Sequence, residues 1–408
     1  MSKSDTNLKA FNKFNELLEK NNKTKSGLKG FSDITEFIPT GNLMLNALMS
    51  GSLFGGYANS RSTGMSGDSG TGKTFLAMNA VREAQQMDYM VFYIDTEGAL
   101  DTTDFTKFGI DIDLLQYKRI GVISELKFFI HNIIKTATDN PGIKIMVVVD
   151  SVTMLETNKQ VTDTEGGKNA NDMGLTAKEL RSLFKSFTLE LSNLKIPLLF
   201  TSHIYDGTGM FATRTMSGGK GPMYAASVVL MLGKKPLKEG DLKTGVICRA
   251  TTNKNRLAKP SIIEIHISFL KGMNKYVGLH YLPFNFSNCG VDRGSKLTEN
   301  QWSKLKQHEQ EACTKFDVTE KDKDDKDVIV TYYFQPKSKA HNYILRETGE
   351  AIPLRQLFTA KVWTEPVLRK LDESVVQPMF KYSTMKDILD DEESEFDSLG
   401  KDEELEEV

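Results

Sequence analysis

The sequence predicts an α/β fold with a mostly parallel central sheet, and three observations support this prediction. Short apolar or β-branched runs alternate with amphipathic helical periods from about residue 31 to residue 284. The phosphate-loop motif G-x-x-x-x-G-K-[ST] occurs at residues 67–74. An amphipathic helical period begins directly behind that motif. Such alternation is typical of helices packed on a parallel sheet, and the motif is typical of a phosphate-binding loop.

The composition fits an ordinary soluble globular protein of two to three domains. The chain has 408 residues, of which 39% are hydrophobic and 26% are charged. It has no run of about 18 uncharged apolar residues, and its N-terminal segment lacks the apolar core of a signal peptide. These features argue against secretion and membrane spanning and favour the cytoplasm. Cys248, Cys289 and Cys313 lack CxxC spacing, which argues for a reducing compartment and against a structural zinc site.

Charge is distributed unevenly along the chain. Residues 387–408 contain twelve acidic residues and one lysine, so the rest of the chain carries a net charge of +9 although the whole chain carries −2. A basic body with an acidic tail suggests a polyanion-binding protein whose tail competes for the same surface. A tail that only improves solubility is the alternative.

The first predicted element is an amphipathic helix within residues 1–30. Its apolar residues recur at helical spacing and are Leu8, Phe11, Phe14, Leu17 and Leu18. A polar linker follows at 21–26. One helix cannot bury such a stripe alone, so we expect it to pack on its own core or on a neighbouring subunit. We therefore interpret it as an oligomerisation segment.

Residues 31–284 are the predicted core domain. Its strands are predicted at 89–95, 143–150, 197–202, 227–232, 246–252 and 262–269. Its amphipathic helices are predicted at 75–86, 124–138 and 176–194. Because the last strands lack intervening helices, one edge of the sheet is expected to be antiparallel. Residues 61–66, directly before the phosphate motif, are polar and show no strand pattern.

Two further segments follow the core. Aromatic residues at 302, 332–334 and 363 indicate a small α+β domain over 285–386, which a charged loop at 320–327 interrupts. The acidic tail at 387–408 is predicted to be disordered.

Each residue type in the phosphate motif has a chemical role in binding a nucleotide. Glycines let backbone N–H groups turn inward around phosphate oxygens, and the helix N-terminus adds positive potential. Lys73 reaches the outer phosphates, and the Thr74 hydroxyl ligates Mg²⁺. The predicted nucleotide-binding residues of the loop are Gly67, Asp68, Ser69, Gly70, Thr71, Gly72, Lys73 and Thr74.

Three predicted strands end in polar residues at the sheet edge where the phosphate loop lies. Asp150 is predicted to hold Mg²⁺, with a turn aspartate as the alternative. Asp95 and Glu97 follow the neighbouring strand, and Glu97 is the better candidate for orienting an attacking water. The alternative for Glu97 is a solvated loop residue. His203 follows the third strand and is able to hydrogen-bond a terminal phosphate, although a lone histidine there is usually structural.

Two long polar segments follow these strands, at about 156–173 and 205–221. The first is rich in Thr, Gly, Asn and Lys, and the second combines five glycines with Arg214 and Lys220. Loops of this length are usually functional or disordered. A basic loop behind a phosphate sensor is suited to report nucleotide state to a polyanion. Two unrelated surface loops are the alternative.

The ordered set of motifs resembles that of RecA-type homologous-recombination proteins, which catalyse DNA strand exchange. The set comprises the phosphate loop, IDTEGALD at 94–101, VDS at 149–151, MGL at 173–175 and MSGGKGPMY at 216–224. With His203 in place of the more usual glutamine, the later motifs look like the branch encoded by T4-like bacteriophages. The resemblance covers roughly residues 31–269 and implies a RecA-like ATPase core.

This resemblance implies roles for residues around the nucleotide. Lys73, Thr74, Asp150 and Glu97 match the family's ATP and magnesium residues, with Glu97 as the water-activating carboxylate. His203 matches the sensor that links ATP to DNA.

Further residues match positions at the base, at the neighbouring subunit and at DNA. Asp101, Asp104 and Phe105 fall where relatives hold the adenine. Lys254 and Arg256 match a basic pair that such proteins insert into the neighbouring subunit's ATP, where cations stabilise transition-state charge. The residues that match DNA-binding positions are Met173, Lys178, Lys185, Arg214, Gly218, Gly219 and Lys220, with Met173 wedged between groups of bases.

By resemblance, the chain is expected to be a DNA-dependent ATPase that forms a helical filament on single-stranded DNA and pairs it with homologous duplex DNA. ATP and Mg²⁺ are its expected cofactors, and mediator and single-strand-binding proteins are candidate partners. The expected location is the host cytoplasm if the chain is phage-encoded. A hexameric helicase on the same core and an ATP-gated coat protein for single strands are the alternatives.

Overall fold

The computed structural model of the chain describes residues 33–168, 173–206, 214–279, 282, 293–297, 299–304, 310, 314–337, 342–344, 351–353, 363 and 365–383, in addition to residues 13 and 16. The apolar stripe of the predicted N-terminal helix, residues 169–172 and 207–213 of the two long segments, the acidic tail, Cys289 and Cys313 lie outside the described residues. Among the helices that are described, none combines the length and the apolar character that a membrane crossing needs.

The described strands are β1 (Phe37–Ile38), β2 (Tyr57–Ala58), β3 (Ser62–Gly67), β4 (Met90–Asp95), β5 (Leu115–Arg119), β6 (Ile145–Asp150), β7 (Leu198–Ser202), β8 (Ile204–Asp206), β9 (Arg214–Met216), β10 (Val228–Glu239), β11 (Leu242–Asn255), β12 (Ile262–Ser268), β13 (Gly272–Met273), β14 (Arg293–Leu297), β15 (Thr314–Lys321), β16 (Asp327–Lys337), β17 (Asn342–Ile344) and β18 (Ala351–Pro353). The described α-helices are α1 (Leu43–Ser50), α2 (Lys73–Gln85), α3 (Thr102–Lys107), α4 (Ile123–Asp139), α5 (Asn158–Glu165), α6 (Met173–Asn193), α7 (Lys220–Ala225), α8 (Glu299–Trp302), α9 (Glu365–Leu371) and α10 (Gln377–Phe380).

A nine-stranded sheet forms the centre of the molecule, with strand order β13-β12-β11-β10-β3-β7-β6-β4-β5. The six strands from β10 to β5 in this order run parallel. The remaining three strands pair antiparallel. The prediction of a mostly parallel sheet with one antiparallel edge is therefore confirmed.

Strand β3 leads into the phosphate loop and lies in the middle of the sheet, although its sequence shows no strand pattern. All six of its residues are buried. A Cβ at Gly64 would lie only 2.7 Å from Cζ of Phe200 on the adjacent strand β7. The strand therefore needs small residues, and a run of small polar residues has no hydrophobic alternation to detect.

Strand β5 forms the other edge of the sheet and is also unpredicted. Only Leu115 at its start is buried, while the other four residues are exposed or half-buried. Its solvent-facing positions are polar, as is common on edge strands, so the segment does not resemble the buried strands of the core.

Helices cover both faces of the sheet. One buried cluster contains side chains of α1 and α2, including Leu45, Leu48 and Leu76. The other cluster contains side chains of α4 and α6, including Ile130 and Phe187. The phosphate loop and the strand tips that follow β4, β6 and β7 therefore sit on a rigid three-layer scaffold.

The first long polar segment is not a loop throughout, which corrects the expectation for 156–173. It contains α5, and α6 begins at Met173. Thr157 and Gln160 form a reciprocal capping box at the start of α5. No residue of α5 is buried, so the helix lacks the apolar stripe by which a sequence indicates a helix.

The last described helices pack on the core, although they are far from the rest of it in sequence. Trp363, Leu368, Leu371, Val376 and Phe380 belong to the same buried cluster as α1 and α2. The division of the chain at residue 285 stays a prediction. The segment that contains α9 and α10 is nevertheless part of the same hydrophobic core as α1 and α2.

Candidate active site

The phosphate loop joins the end of β3 to the start of α2. Gly70 and Gly72 have φ angles of 71° and 101°, a region that residues with a Cβ adopt only at a cost. The Lys73 ammonium donates hydrogen bonds to the carbonyl oxygens of Gly67 (2.8 Å) and Asp68 (3.0 Å). These contacts curl the loop around the helix N-terminus, the geometry that a phosphate-binding loop requires.

The first turn of α2 is suited to an anion. It contains no acidic residue, and its N-cap, Gly72, provides no side-chain cap. The first backbone N–H groups of a helix have no intrahelical partner and carry positive potential. Lys73 is only 7% exposed, and burial lowers its pKa, an effect that Asp150 and Glu97 oppose. A polyphosphate at this point would stabilise the charged ammonium, so these residues fit a nucleotide.

Thr74 and Asp150 fit a magnesium site. Thr74 follows Lys73 in the first turn of α2, and Asp150 ends β6 with 6% exposure. No group of three His, Cys, Asp or Glu side chains in the described part of the chain is arranged to hold a metal ion. Mg²⁺ at phosphate sites uses one or two protein ligands besides phosphate oxygens and water, so a larger protein cage is not needed.

Two hydroxyl groups from neighbouring strands hold Asp150. Tyr93 on β4 donates to Oδ2 (2.9 Å), and Thr201 on β7 donates to Oδ1. Strand β6 lies between β4 and β7 in the sheet, which brings both hydroxyls to the carboxylate. Because a buried carboxylate is costly unless it is hydrogen-bonded, these bonds both stabilise and orient it.

Asp95, to which the sequence analysis assigns no role, shapes the turn that presents Glu97. Its Oδ1 accepts hydrogen bonds from the backbone N–H groups of Glu97 (2.8 Å) and Gly98 (2.7 Å). Its Oδ2 accepts one from the Tyr117 hydroxyl (2.7 Å). An aspartate at a strand end that bonds to the backbone two residues later is a common turn pattern, so this signal was present in the sequence.

Glu97 and His203 meet at the tips of two strands. Glu97 Oε1 lies 3.4 Å from His203 Nε2, and both side chains are 37% exposed. The Ser151 hydroxyl, which had no predicted role, donates to the same oxygen of Glu97 at 3.3 Å. The structure thus brings the predicted water-activating carboxylate and the predicted sensor into contact.

The residues predicted at the adenine have structural roles within the protomer. Asp101 and Asp104 form a reciprocal capping box at the start of α3. Phe105 is 3% exposed and packs edge-on against Tyr93 and Tyr117. The contact of Phe105 with the base stays a prediction; in this protomer the core encloses its ring.

Lys254 and Arg256 lie away from their own phosphate loop. Lys254 on β11 pairs with Val229 on β10, and Val229 pairs with Gly64 on β3. Gly64 lies three residues before Gly67, where β3 ends and the phosphate loop begins. Strand β11 runs antiparallel to β10, so Arg256 lies still farther from the loop. The Lys254 ammonium donates to the carbonyl oxygens of Met223 (3.1 Å) and Tyr224 (2.9 Å), and burial together with Arg256 lowers its pKa.

The predicted DNA-binding residues lie on α6, on β9, on α7 and in the turn between β9 and α7. Met173 begins α6, and Lys178 and Lys185 follow on the same helix, both exposed and about two turns apart. Arg214 begins β9, which pairs with β8 in a short hairpin. Lys220 begins α7 and is exposed.

Two glycines allow the second segment to approach the first. Gly218 and Gly219 have φ angles of 90° and 79°. A Cβ on Gly218 would lie 3.1 Å from Leu180 Cδ1, and a Cβ on Gly219 would lie 3.0 Å from Ala177 Cβ. Both neighbours are on α6, so the end of the second segment packs directly on the helix that follows the first.

Comparison with known proteins places these features in a family. The model of the RecA N-terminal domain matches residues 9–274. The recombination and repair protein of Enterobacteria phage T4 is 28% identical over 242 residues, which cover 58% of this chain and 60% of that protein. Protein RecA of Bacteroides thetaiotaomicron is 28% identical over 278 residues, covering 66% of this chain and 81% of that protein. Protein RecA of Arthrobacter sp. strain FB24 is 27% identical over 271 residues, covering 65% and 72%.

Proposed function

This chain belongs to the RecA family, whose N-terminal domain matches residues 9–274, and from that premise we propose that it is an ATP-dependent DNA recombinase. It assembles as a helical filament on single-stranded DNA, pairs that strand with homologous duplex DNA and exchanges strands. ATP is hydrolysed at the interfaces between subunits. The names of the RecA and phage T4 relatives support this proposal.

The phosphate loop binds and orients the triphosphate. Backbone N–H groups at the start of α2 and the Lys73 ammonium contact phosphate oxygens. Thr74 and Asp150 would hold Mg²⁺, which when bound would supply positive charge to the outer phosphates. Glu97 accepts the proton of the attacking water from a position that Asp95 and Ser151 hold in place.

The observation that carries the proposal is the contact between Glu97 and His203. His203 directly follows β7 and directly precedes the hairpin of β8 and β9, which belongs to the second long segment. A change in the charge or position of Glu97 during hydrolysis therefore acts on a side chain next to the proposed DNA-binding segment. This is the link that a filament needs if ATP hydrolysis is to loosen DNA.

DNA binding by the proposed residues is electrostatic and independent of sequence. Lys178, Lys185 and Lys220 are exposed cations on neighbouring elements, which suits contact with phosphates rather than with base edges. Homology is then read by base pairing between strands. Mediator and single-strand-binding proteins are proposed partners during loading.

A joint-molecule assay tests the proposal. The wild-type chain, ATP, Mg²⁺ and a single strand should form joint molecules with a homologous duplex and none with a heterologous duplex. Glu97→Gln should still bind ATP and single strands but hydrolyse ATP at least about a hundredfold more slowly, the typical contribution of a general base. Coated strands without joint molecules would indicate a coat protein. Closed rings that unwind duplexes would indicate a helicase.

A further inference from the structure

We propose that Lys234 is a positioning residue of the phosphate loop and a second cation, besides Lys73, that the same subunit supplies to the nucleotide phosphates. This inference rests on the proposed nucleotide site and extends it to strand β10, for which the sequence predicted no role in ATP binding.

The register of the sheet brings Lys234 to the loop. Leu232 on β10 is opposite Gly67, the last residue of β3. Strand β10 continues to Glu239, so it extends past the end of β3 alongside the phosphate loop. Side chains two residues apart on a strand share a face, and Lys234 therefore lies on the face of Leu232, a residue of the core cluster that contains α2.

Lys234 makes a direct contact with the loop. Its ammonium donates a hydrogen bond to the Ser69 carbonyl oxygen at 2.5 Å. A Cβ built on Gly70 would lie 3.3 Å from the same nitrogen. In a planar trans peptide the carbonyl and the following N–H point in opposite directions. By fixing the Ser69 carbonyl, Lys234 also fixes the direction of the Gly70 N–H in the same peptide.

The charge of Lys234 adds to that of Lys73. Lys234 is close enough to Lys73 to contribute to the lowering of the Lys73 pKa, although burial of Lys73 is the larger cause. The bond to Ser69 is to an uncharged carbonyl, so it leaves the positive charge of Lys234 uncompensated. Two ammonium groups near one loop repel each other until an anion lies between them, which favours a ligand with several negative charges.

The adjacent residue, Lys235, provides a matched comparison. It points to the opposite face of β10 and forms an ion pair with Glu264 on β12 at 2.9 Å. The two neighbouring lysines thus have the same intrinsic chemistry but different surroundings. Only Lys234 contacts the phosphate loop.

Equilibrium binding of the full-length chain to fluorescent ADP and to a fluorescent, slowly hydrolysed ATP analogue, with Mg²⁺ and without DNA, tests the inference. Lys234→Met should weaken binding about tenfold, the size expected for a lost hydrogen bond to a charged group. Lys234→Arg should restore affinity to within about twofold of wild type, and Lys235→Met should match wild type. Wild-type affinity should fall more steeply with salt than that of Lys234→Met.

Other readouts separate this role from a general effect on folding or on the site. The thermal midpoints of Lys234→Met and Lys235→Met without nucleotide should be equal to within about 2 °C, because both side chains are exposed. Equal nucleotide affinity of these two variants would overturn the inference. If Lys73→Ala abolished binding while Lys234→Met did not weaken it, only the role of Lys234 would be lost. Failure of the wild type to bind either nucleotide would overturn the proposed function itself.

Discussion

Buried carboxylates at the strand tips set the geometry around Glu97. Asp95 and Asp150 are 3% and 6% exposed, and each accepts hydrogen bonds from hydroxyl groups or backbone N–H groups of neighbouring elements. Tyr117 links two of these groups, because its hydroxyl donates a hydrogen bond to Asp95 and accepts one from Arg119 Nε at 3.2 Å. Strand β5 thereby reaches the turn that presents Glu97.

Removing the Tyr117 hydroxyl should slow hydrolysis without weakening ATP binding. In Tyr117→Phe, Asp95 loses one partner and the turn at Glu97 becomes less constrained. One such hydrogen bond is worth about 1 kcal/mol, so we expect kcat to fall about fivefold with KM for ATP unchanged. Steady-state ATPase kinetics on single-stranded DNA provide the measurement.

Tyr89→Phe is the matched control for that variant. Tyr89 also donates its hydroxyl to a carboxylate, that of Glu36 at 2.8 Å, but it lies just before β4, at the end remote from Asp95. The Tyr89→Phe variant should lose about as much free energy of unfolding as Tyr117→Phe and should keep the kcat of the wild type. Equal kcat losses in the two variants would assign the effect to stability alone.

Cys248 should be unreactive as long as the protein is folded. It is fully buried in the core, and burial raises its pKa from 9.0 to about 12. The folded thiol retains a proton that the unfolded thiol releases above its ordinary pKa, so this group lowers the free energy of unfolding as pH rises from about 9 to about 12. Alkylation at pH 8.5 followed by peptide mass spectrometry should label Cys248 only in denaturant. Rapid labelling of the native protein would contradict its burial.

At the scale of elements, the C-terminal helices extend the core beyond the region that matches the RecA N-terminal domain. Asp372, between α9 and α10, is buried and accepts hydrogen bonds from the Leu53 backbone N–H (2.6 Å) and the Ser52 hydroxyl (2.7 Å). Just after α10, the Tyr382 hydroxyl donates to the carbonyl oxygen of Asn255 at 3.1 Å. This places the C-terminal segment beside the strand end that carries Lys254.

Truncation of Asp372 should destabilise the whole core. Asp372→Ala leaves a buried backbone N–H without its partner, and we expect the free energy of unfolding to fall by about 2 kcal/mol. Glu373→Ala changes the exposed neighbour and should stay within about 0.5 kcal/mol of wild type. Denaturant unfolding followed by circular dichroism measures both. Equal stabilities would show that the C-terminal segment does not contribute to the cooperative unit.

At the scale of the whole molecule, the phosphate loop and the proposed cation pair of one protomer lie apart. The phosphate loop and Glu97 follow the C-terminal ends of the parallel strands, whereas Lys254 and Arg256 lie toward the N-terminal ends of those strands. If these cations serve a neighbour, the contact is head-to-tail, and such contacts generate rings or open helices. This arrangement supports a filament in which every interface carries one complete site.

Complementation between two inactive variants tests the sharing of sites. Glu97→Gln disables the half that binds ATP, and Lys254→Ala disables the half that donates cations. In an equimolar mixture, about a quarter of random interfaces combine two intact halves, so ATPase activity should recover to about a quarter of wild type.

The control for this mixture combines Glu97→Gln with Lys73→Ala. Both changes affect the same half of the site, so no interface is complete and no activity should return. The mixture of Glu97→Gln with Lys254→Ala could also stay inactive while electron microscopy shows filaments that contain both variants. That result would mean that Lys254 does not act across the interface.

Much of the core was predictable from the sequence, because buried strands and amphipathic helices leave periodic apolar patterns. The strands β4, β6 and β7 and the helices α2, α4 and α6 were predicted within a few residues of their bounds. Strand β3 was not recognised because Phe200 leaves room only for small side chains beside it, and its small polar residues show no apolar alternation. Helix α5 was not recognised because capping rather than burial holds it.

By itself, the sequence determined the phosphate loop, the acids that end the parallel strands and the family to which the motifs belong, because these are local patterns of residue type and spacing. Only the tertiary structure decided which of these groups meet. Contact between Glu97 and His203, enclosure of Phe105, and the reach of Lys234 to the Ser69 carbonyl all depend on strand order and register. Pairing between segments far apart in the chain creates those distances, and no local pattern encodes them.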